Sequence, residues 1–208
     1  MEVIPAINAA DFSTVKERLK EIEKFSSWVH FDIADGIFTP HITWQNPQDL
    51  LSISSILKKE VHLMIQDPDG VVDSWLEAGI DRIIFQMETI KDFDKLFNLC
   101  HQKGVGVSIS IAPETPISVI EPYVLKIDLI HILSVPPGKS GQEFDLSILA
   151  KIKTLRDQFP NIKIEVDGGI NPETAKLTKE AGADIVVSGS YIFSGPMPEE
   201  AYNKLKWN

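Results

Sequence analysis

The stretch Ile162-Lys163-Ile164-Glu165-Val166-Asp167-Gly168-Gly169-Ile170-Asn171-Pro172 decides the fold of this chain. It begins as a short run with β-branched residues and breaks at two glycines. It ends on a capping residue with proline at the first helical position. A strand that feeds a helix through a tight turn is one βα unit, and the unit can be followed outward in both directions. Short apolar, β-branched runs lie at residues 3–7, 28–33, 60–65, 82–85, 105–111, 129–135, 162–166 and 185–187, as buried parallel strands require.

The segments between them carry helical spacing. In residues 12–25, Val15, Leu19, Ile22 and Phe25 recur every three or four positions after the cap-like Ser13. In residues 92–101, Phe93, Leu96 and Phe97 share a face, and Gly104 ends the run; residues 147–159 place Ile148, Ile152, Leu155 and Phe159 on another. Strand then helix, eight times over, predicts an α/β chain forming a single (β/α)8 TIM barrel over residues 1–208. A doubly wound open sheet uses the same units, but eight of them, with no dinucleotide fingerprint after the first strand, favour closure. No linker or low-complexity segment marks a boundary.

Composition narrows the function. The 208 residues hold 20 Lys+Arg against 30 Asp+Glu, a net charge of −10, so no basic face exists for nucleic acid. No apolar stretch has the length of a membrane span. The N-terminus lacks the basic and apolar regions of a signal peptide. The lone Cys100 cannot form an internal disulfide. A cytoplasmic chain that binds neither nucleic acid nor membrane is expected.

In such a barrel the chemistry belongs at the C-terminal strand ends. His30 and Asp32, two apart on the second strand, point to one side. His62 and Asp167 end two further strands. Two imidazoles and two carboxylates converging on one point make a metal site, and without thiolate the N/O set suits a divalent Zn, Fe(II), Mn or Co ion. Gly168, Gly169, Gly189 and Ser190 fit a phosphate cradle of bare N–H groups and a helix N-terminus, with Gly138-Lys139-Ser140-Gly141 closing over the same phosphate. Asp35 is read as shaping the turn after strand two. Gln86 and Glu88 are read as supporting the ligands, and Cys100 as a buried or rim thiol. His101 and His131 carry no partner motif and are read as a helix-end and a strand histidine.

Several motifs, in order, give a resemblance: Pro5-Ala6-Ile7-Asn8-Ala9-Ala10-Asp11-Phe12, His30-Phe31-Asp32-Ile33-Ala34-Asp35-Gly36, Val61-His62-Leu63-Met64, Pro137-Gly138-Lys139-Ser140-Gly141-Gln142, Val166-Asp167-Gly168-Gly169-Ile170 and Ala181-Gly182-Ala183-Asp184. From Pro5 to about Phe193 the chain resembles the ribulose-phosphate 3-epimerases. The resemblance implies a ribulose-phosphate-binding barrel, a phosphorylated ketose substrate and a homo-oligomer. It matches His30, Asp32, His62 and Asp167 to the metal ligands, and Asp32 and Asp167 to an acid/base pair on opposite faces of the sugar. It matches His62, Gly138, Lys139, Ser140, Gly141, Gly168, Gly169, Gly189 and Ser190 to substrate and phosphate contacts. The expected reaction is metal-dependent interconversion of D-ribulose 5-phosphate and D-xylulose 5-phosphate through an enediolate, with two carboxylates alternating as base and acid.

The departures gather around the substrate. Ala6 stands where the family usually has Ser, Asn8 for Leu, Ala34 for Met, Ile37 for His, His41 for Asn, Ala112 for Asn or Lys, and Leu133 for Met. Lys139 and Ser140 replace Phe and Gly. Ala6, Asn8, Ala34, Met64 and Leu133 are the expected pocket wall. Changes of this size shift discrimination by about 1–3 kcal/mol per contact. That keeps two alternatives open: a 3-epimerase of another ketose phosphate such as allulose 6-phosphate, and a barrel that binds metal and phosphosugar without turnover.

Overall fold

A computed structural model describes residues 1–206; Trp207 and Asn208, which the expected 1–208 domain includes, lie outside the described residues. Its strands are β1 (Glu2–Ile7), β2 (Trp28–Ala34), β3 (Lys58–Met64), β4 (Arg82–Gln86), β5 (Gly106–Ile111), β6 (Leu129–Leu133), β7 (Lys163–Asp167) and β8 (Ile185–Ser188). Each pairs parallel with its neighbour in sequence, and β8 returns to β1 through the register Glu2↔Ile185 to Pro5↔Ser188, closing the barrel. Closure removes every sheet edge.

Around it run α1 (Phe12–Ile22), α2 (Val72–Glu77), α3 (Phe93–Gln102), α4 (Ile148–Gln158), α5 (Pro172–Ala181), α6 (Ser190–Phe193) and α7 (Pro198–Lys206). The strict strand–helix alternation breaks twice. Between β2 and β3 the chain makes only a 3₁₀ turn at Pro47–Ser52, and between β5 and β6 only Ile117–Val119 and Glu121–Tyr123. Pro40 and Pro47 in the first interval, and Pro113, Pro116 and Pro122 in the second, explain this: proline inside a helix removes a hydrogen bond and clashes with the preceding turn.

The start of α1 also differs from expectation. Asp11, not Ser13, is the N-cap, accepting from the Thr14 amide at 2.9 Å, while the Ser13 hydroxyl donates to Asp11. Asp11 is extended and immediately precedes the first helical residue, which is the cap geometry. The helix ends at Ile22, and Phe25 instead packs against Tyr202 at 5.0 Å between ring centroids. Asn171 caps α5 as expected, in a reciprocal box with Thr174.

The period of two along each strand sorts the side chains. Outward residues such as Val29, Phe31, Leu63, Phe85, Ile109, Ile132 and Val166 pack under Val15, Leu19, Leu96, Ile152 and Leu155 of the helices. Each such aliphatic or aromatic side chain contributes about 1.5–3 kcal/mol on burial. The barrel interior is different. Ile4, Ala6, Leu129, Ile185 and Val187 form an apolar patch, but His30, Glu60, His62, Ser108, Ser110, His131 and Glu165 are also fully buried, with Arg82 nearly so. A barrel interior is ordinarily filled by branched apolar residues, so this polar column marks where stability has been given up for chemistry. Among the described residues no helix is long and apolar enough to cross a membrane.

Cys100, on α3, is fully buried, and burial pushes its thiol up to about 12. Thiolate is the reactive form, so native protein at pH 8 is expected to react with a chromogenic disulfide reagent only as fast as α3 opens, and in urea at once. Unfolded chains release this proton near 9.0 while the folded one holds it, so stability falls as pH rises above 9. Urea midpoints of Cys100→Ala are expected to fall less steeply there than those of the native chain.

Candidate active site

β2 turns His30 and Asp32 inward, and the β2–β3 register sets Asp32 directly beside His62. Asp32 Oδ1 lies 3.3 Å from His30 Nε2 and 3.8 Å from His62 Nδ1. The outer nitrogen of each ring is held: His30 Nδ1 by Glu60 at 2.8 Å, and His62 Nε2 by the Gln86 carbonyl oxygen at 2.9 Å. The Gln86 amide donates to Glu88 at 2.5 Å, which fixes its orientation. Both outer partners accept, so each ring donates outward from that nitrogen and turns its other nitrogen inward. Gln86 and Glu88 thus sit where the sequence reading put them. Asp35 does too: it accepts from the Ile37, Phe38 and Gln66 amides around the turn after β2.

His131 lies on a strand, as read, but that strand turns it into the cluster. Its ring, on β6, is fully buried 4.6 Å from that of His62 and 5.7 Å from that of His30, with Nε2 3.8 Å from Asp167 Oδ2. Donor atoms of His30, His62, His131 and Asp167 lie within 4.8 Å of one another, and Asp32 joins them through its contacts with the first two. No motif signals His131, because its neighbours come from strands distant in sequence; its inward position, two residues before Leu133, was the one available clue. His101, by contrast, ends α3 stacked on Phe97.

The donor set fits a divalent cation. His30 Nε2, His62 Nδ1 and His131 Nε2 are buried without any hydrogen-bond partner, and an orphan polar atom costs about 1–3 kcal/mol. Aimed together beside two carboxylates, such atoms are what a metal ion satisfies.

Burial raises both carboxylates, but the outcomes differ. For Asp32 the imidazoles of His30 and His62 outweigh burial and hold it well below the ordinary range. For Asp167 burial, reinforced by the charge of Asp32, pushes it up to about 7. Burial opposes a charge on His30 too, yet Asp32 and Glu60 hold its pKa well above the ordinary value. Beneath them Arg82 donates to Glu60 and, at 3.4 Å, to Glu165, closing the floor with its guanidinium against Trp28.

Above the cluster opens a cleft of about 490 Å³, its solvent-filled mouth included. Asp32 and Asp167 form part of its floor, with Ala6, Asn8, Met64 and Leu133 as wall. Gly138, Lys139, Ser140 and Gly141 border it on one side, and Gly168, Gly169, Gly189 and Ser190 on another. Gly169 has φ +58°, and a Cβ there would meet the Phe144 backbone nitrogen at 2.6 Å, so no side chain fits. Two expected residues do not reach the cleft: His62 and Ala34 are fully buried, Ala34 with its amide donating to Thr43. β2 and β3 pair as far as Ala34↔Met64, and of that pair Met64 lines the cleft. Arg18 was missed. It lines an adjoining cleft with Ser140, Gly189 and Ser190, its guanidinium over Phe193 and donating to the Asn8 carbonyl.

The closed barrel, its polar interior and the glycine-rimmed cleft define a (β/α)8 barrel with a polar centre beneath a glycine-lined mouth. A model of the ribulose-phosphate 3 epimerase family matches residues 2–193. Ribulose-phosphate 3-epimerase of Bacillus subtilis is 33% identical over 99% of this chain and 98% of its own length. That of Schizosaccharomyces pombe is 31% identical over 99% and 92%, and that of Chlamydia muridarum 36% identical over 92% and 87%. The chain belongs to the ribulose-phosphate 3-epimerase family and is an isomerase, a carbohydrate epimerase. Among solved structures, 3-hexulose-6-phosphate synthase from Salmonella typhimurium superposes with a TM-score of 0.75 at 14% identity, over 100% of this chain and 97% of that one; this likeness concerns the fold.

Glu60 links the floor to the cluster. Glu60→Gln removes the charge that balances Arg82 and weakens the hold on His30. Divalent-metal affinity, read by chelator competition, is expected to fall about 10–100-fold, with a lower urea midpoint.

Proposed function

We propose that this chain interconverts D-ribulose 5-phosphate and D-xylulose 5-phosphate by moving a proton between the two faces of C3. The observation that carries the reading is the pair Asp32 and Asp167. They border one cleft from strands three steps apart around the barrel, flank one cluster of imidazoles, and have proton affinities driven in opposite directions. Groups pushed apart in this way suit a base and an acid. In one direction the ionised Asp32 takes the C3 proton while Asp167 delivers one to the opposite face; in reverse the roles exchange, so no proton is gained or lost overall. A divalent ion (Zn, Fe(II), Mn or Co) bound among His30, Asp32, His62 and Asp167 would supply Lewis-acid stabilisation of the charge on the enediolate oxygens.

The phosphate is assigned to the bare amides of Gly168, Gly169, Gly189 and Ser190, beneath the 138–141 loop. Lys139 and Arg18 supply the positive charge that glycines lack. Met64 and Leu133 wall the reacting carbons. On this reading the chain is one domain acting in the cytoplasm, as a relative from Oryza sativa named a cytoplasmic isoform supports, and the homo-oligomer that the family resemblance implies.

A second substrate is favoured by one observation: Ala6 and Leu133 line the cleft where the family has Ser and Met. That reading is the same epimerisation of a hexulose phosphate such as allulose 6-phosphate.

Proton NMR of ribulose 5-phosphate in D₂O tests the proposal. Metal-loaded protein is expected to incorporate deuterium at C3 as xylulose 5-phosphate appears, and metal-free protein to do neither. Asp32→Asn and Asp167→Asn should each lower the rate at least about 10²-fold. Exchange with allulose 6-phosphate but not ribulose 5-phosphate would transfer the assignment to the second substrate; exchange with neither would overturn it.

A further inference from the structure

We propose that His131 is a further protein ligand of the metal centre, which gives it a third imidazole. The inference rests on the metal-dependent reading above and extends it to a residue on β6.

Three observations carry it. First, His131 is fully buried in the barrel interior and its Nε2 has no hydrogen-bond partner, a condition shared with His30 Nε2 and His62 Nδ1. Three orphan ring nitrogens in one small volume would each carry a desolvation penalty, and one cation would satisfy all three. Second, His131 is held as a ligating histidine is held. Its Nδ1 lies 2.9 Å from the Ser110 hydroxyl on the neighbouring strand, as Glu60 holds His30 and Gln86 holds His62. A ring with its N–H directed outward presents the opposite nitrogen to the metal. Third, the donor atoms of His30, His62, His131 and Asp167 lie within 4.8 Å of one another. At Zn–N lengths of about 2.1 Å, opposite ligands of one ion are separated by about 4.2 Å, so the four fall close to the span of a single ion.

The rival is a structural histidine that pairs with Glu165, whose Oε1 is also unpartnered and stands 3.8 Å from His131 Nε2. Arg82 already serves the other Glu165 oxygen. The polar column thus divides at His131. Below it the Arg82 guanidinium pairs with Glu60 and reaches Glu165, and above it a bound ion would supply the balancing charge. A third imidazole also changes which ion the site prefers, toward Co(II) and Zn and away from Mn(II), which favours oxygen donors.

X-ray absorption of the full chain loaded with Co(II) tests this, because imidazole rings are counted from their multiple scattering without any assay of turnover. Three imidazoles are expected in the native protein and two in His131→Leu. His131→Leu is also expected to bind Co(II) about 10–100-fold more weakly with a smaller loss for Mn(II). Ser110→Ala, which keeps the ring but frees its outer nitrogen, should weaken Co(II) binding less. Two imidazoles in the native protein would overturn the proposal even if His131→Leu failed to fold. So would an unchanged Co(II) affinity in folded His131→Leu. If the native chain took up no stoichiometric Co(II), the metal-dependent reading itself would fall, a result distinct from a filled site with two imidazoles.

Discussion

The contact between Arg82 and Glu60 is the constraint on which the barrel interior depends. Both groups are buried, and a carboxylate left unpaired at such depth would be unstable by several kcal/mol. Despite burial, the hydrogen bond from His30 and the neighbouring charge of Arg82 together keep Glu60 charged, and it holds the outer nitrogen of His30. His30 in turn faces Asp32, and Asp32 faces His62. A chain of contacts between charged and polar groups therefore rises from the barrel floor to the cleft, each member fixing the next. Its lowest link is furthest from any substrate, yet removing it would leave a buried charge unpaired and loosen each member above it.

The same column explains why two chemically identical carboxylates behave differently. Asp32 stands between two imidazoles, whereas Asp167 has a histidine only at 3.8 Å and faces the charge of Asp32 across the cluster. Strand order alone creates this asymmetry. β2 and β3 are neighbours in register, so their polar ends meet, while β7 pairs with β6 and β8, whose opposing residues are Leu133 and Val187.

Most of the fold could be read from the chain because parallel strands and their covering helices are each local patterns. Eight runs gave eight strands, each bounded within about two residues. What failed was local as well: prolines at 47, 116 and 122 replaced two expected helices by 3₁₀ turns, and Asp11 took the cap from Ser13. The site was legible where one strand carries two functional residues, as with His30 and Asp32, or where glycines mark a turn, as at 168–169. His131 and Arg18 were not legible. Their partners, His62 and Asp167 for one and Asn8 and Phe193 for the other, lie tens of residues away or on another element, and no spacing within the chain encodes such neighbours.

Asn8 shows how a wall residue becomes part of the working machinery. Where the resembled family has Leu, this chain places an amide that donates to Asp32 Oδ2 at 3.3 Å and to the Gly138 carbonyl at 3.1 Å. One side chain therefore ties the carboxylate at the cleft floor to the loop over its mouth. That loop is braced from the other side by Gln142, whose amide donates to the carbonyls of Pro136 and Lys139. Oδ1 of Asp32 is engaged by the imidazoles and Oδ2 by Asn8, which leaves the carboxylate few orientations and little freedom to turn. An apolar residue at position 8 could fill the same volume but could not hold Oδ2 or the loop. The exchange of Leu for Asn thus couples the position of the loop to the position of the group assigned the proton transfer, and a substrate that displaces the loop acts on both.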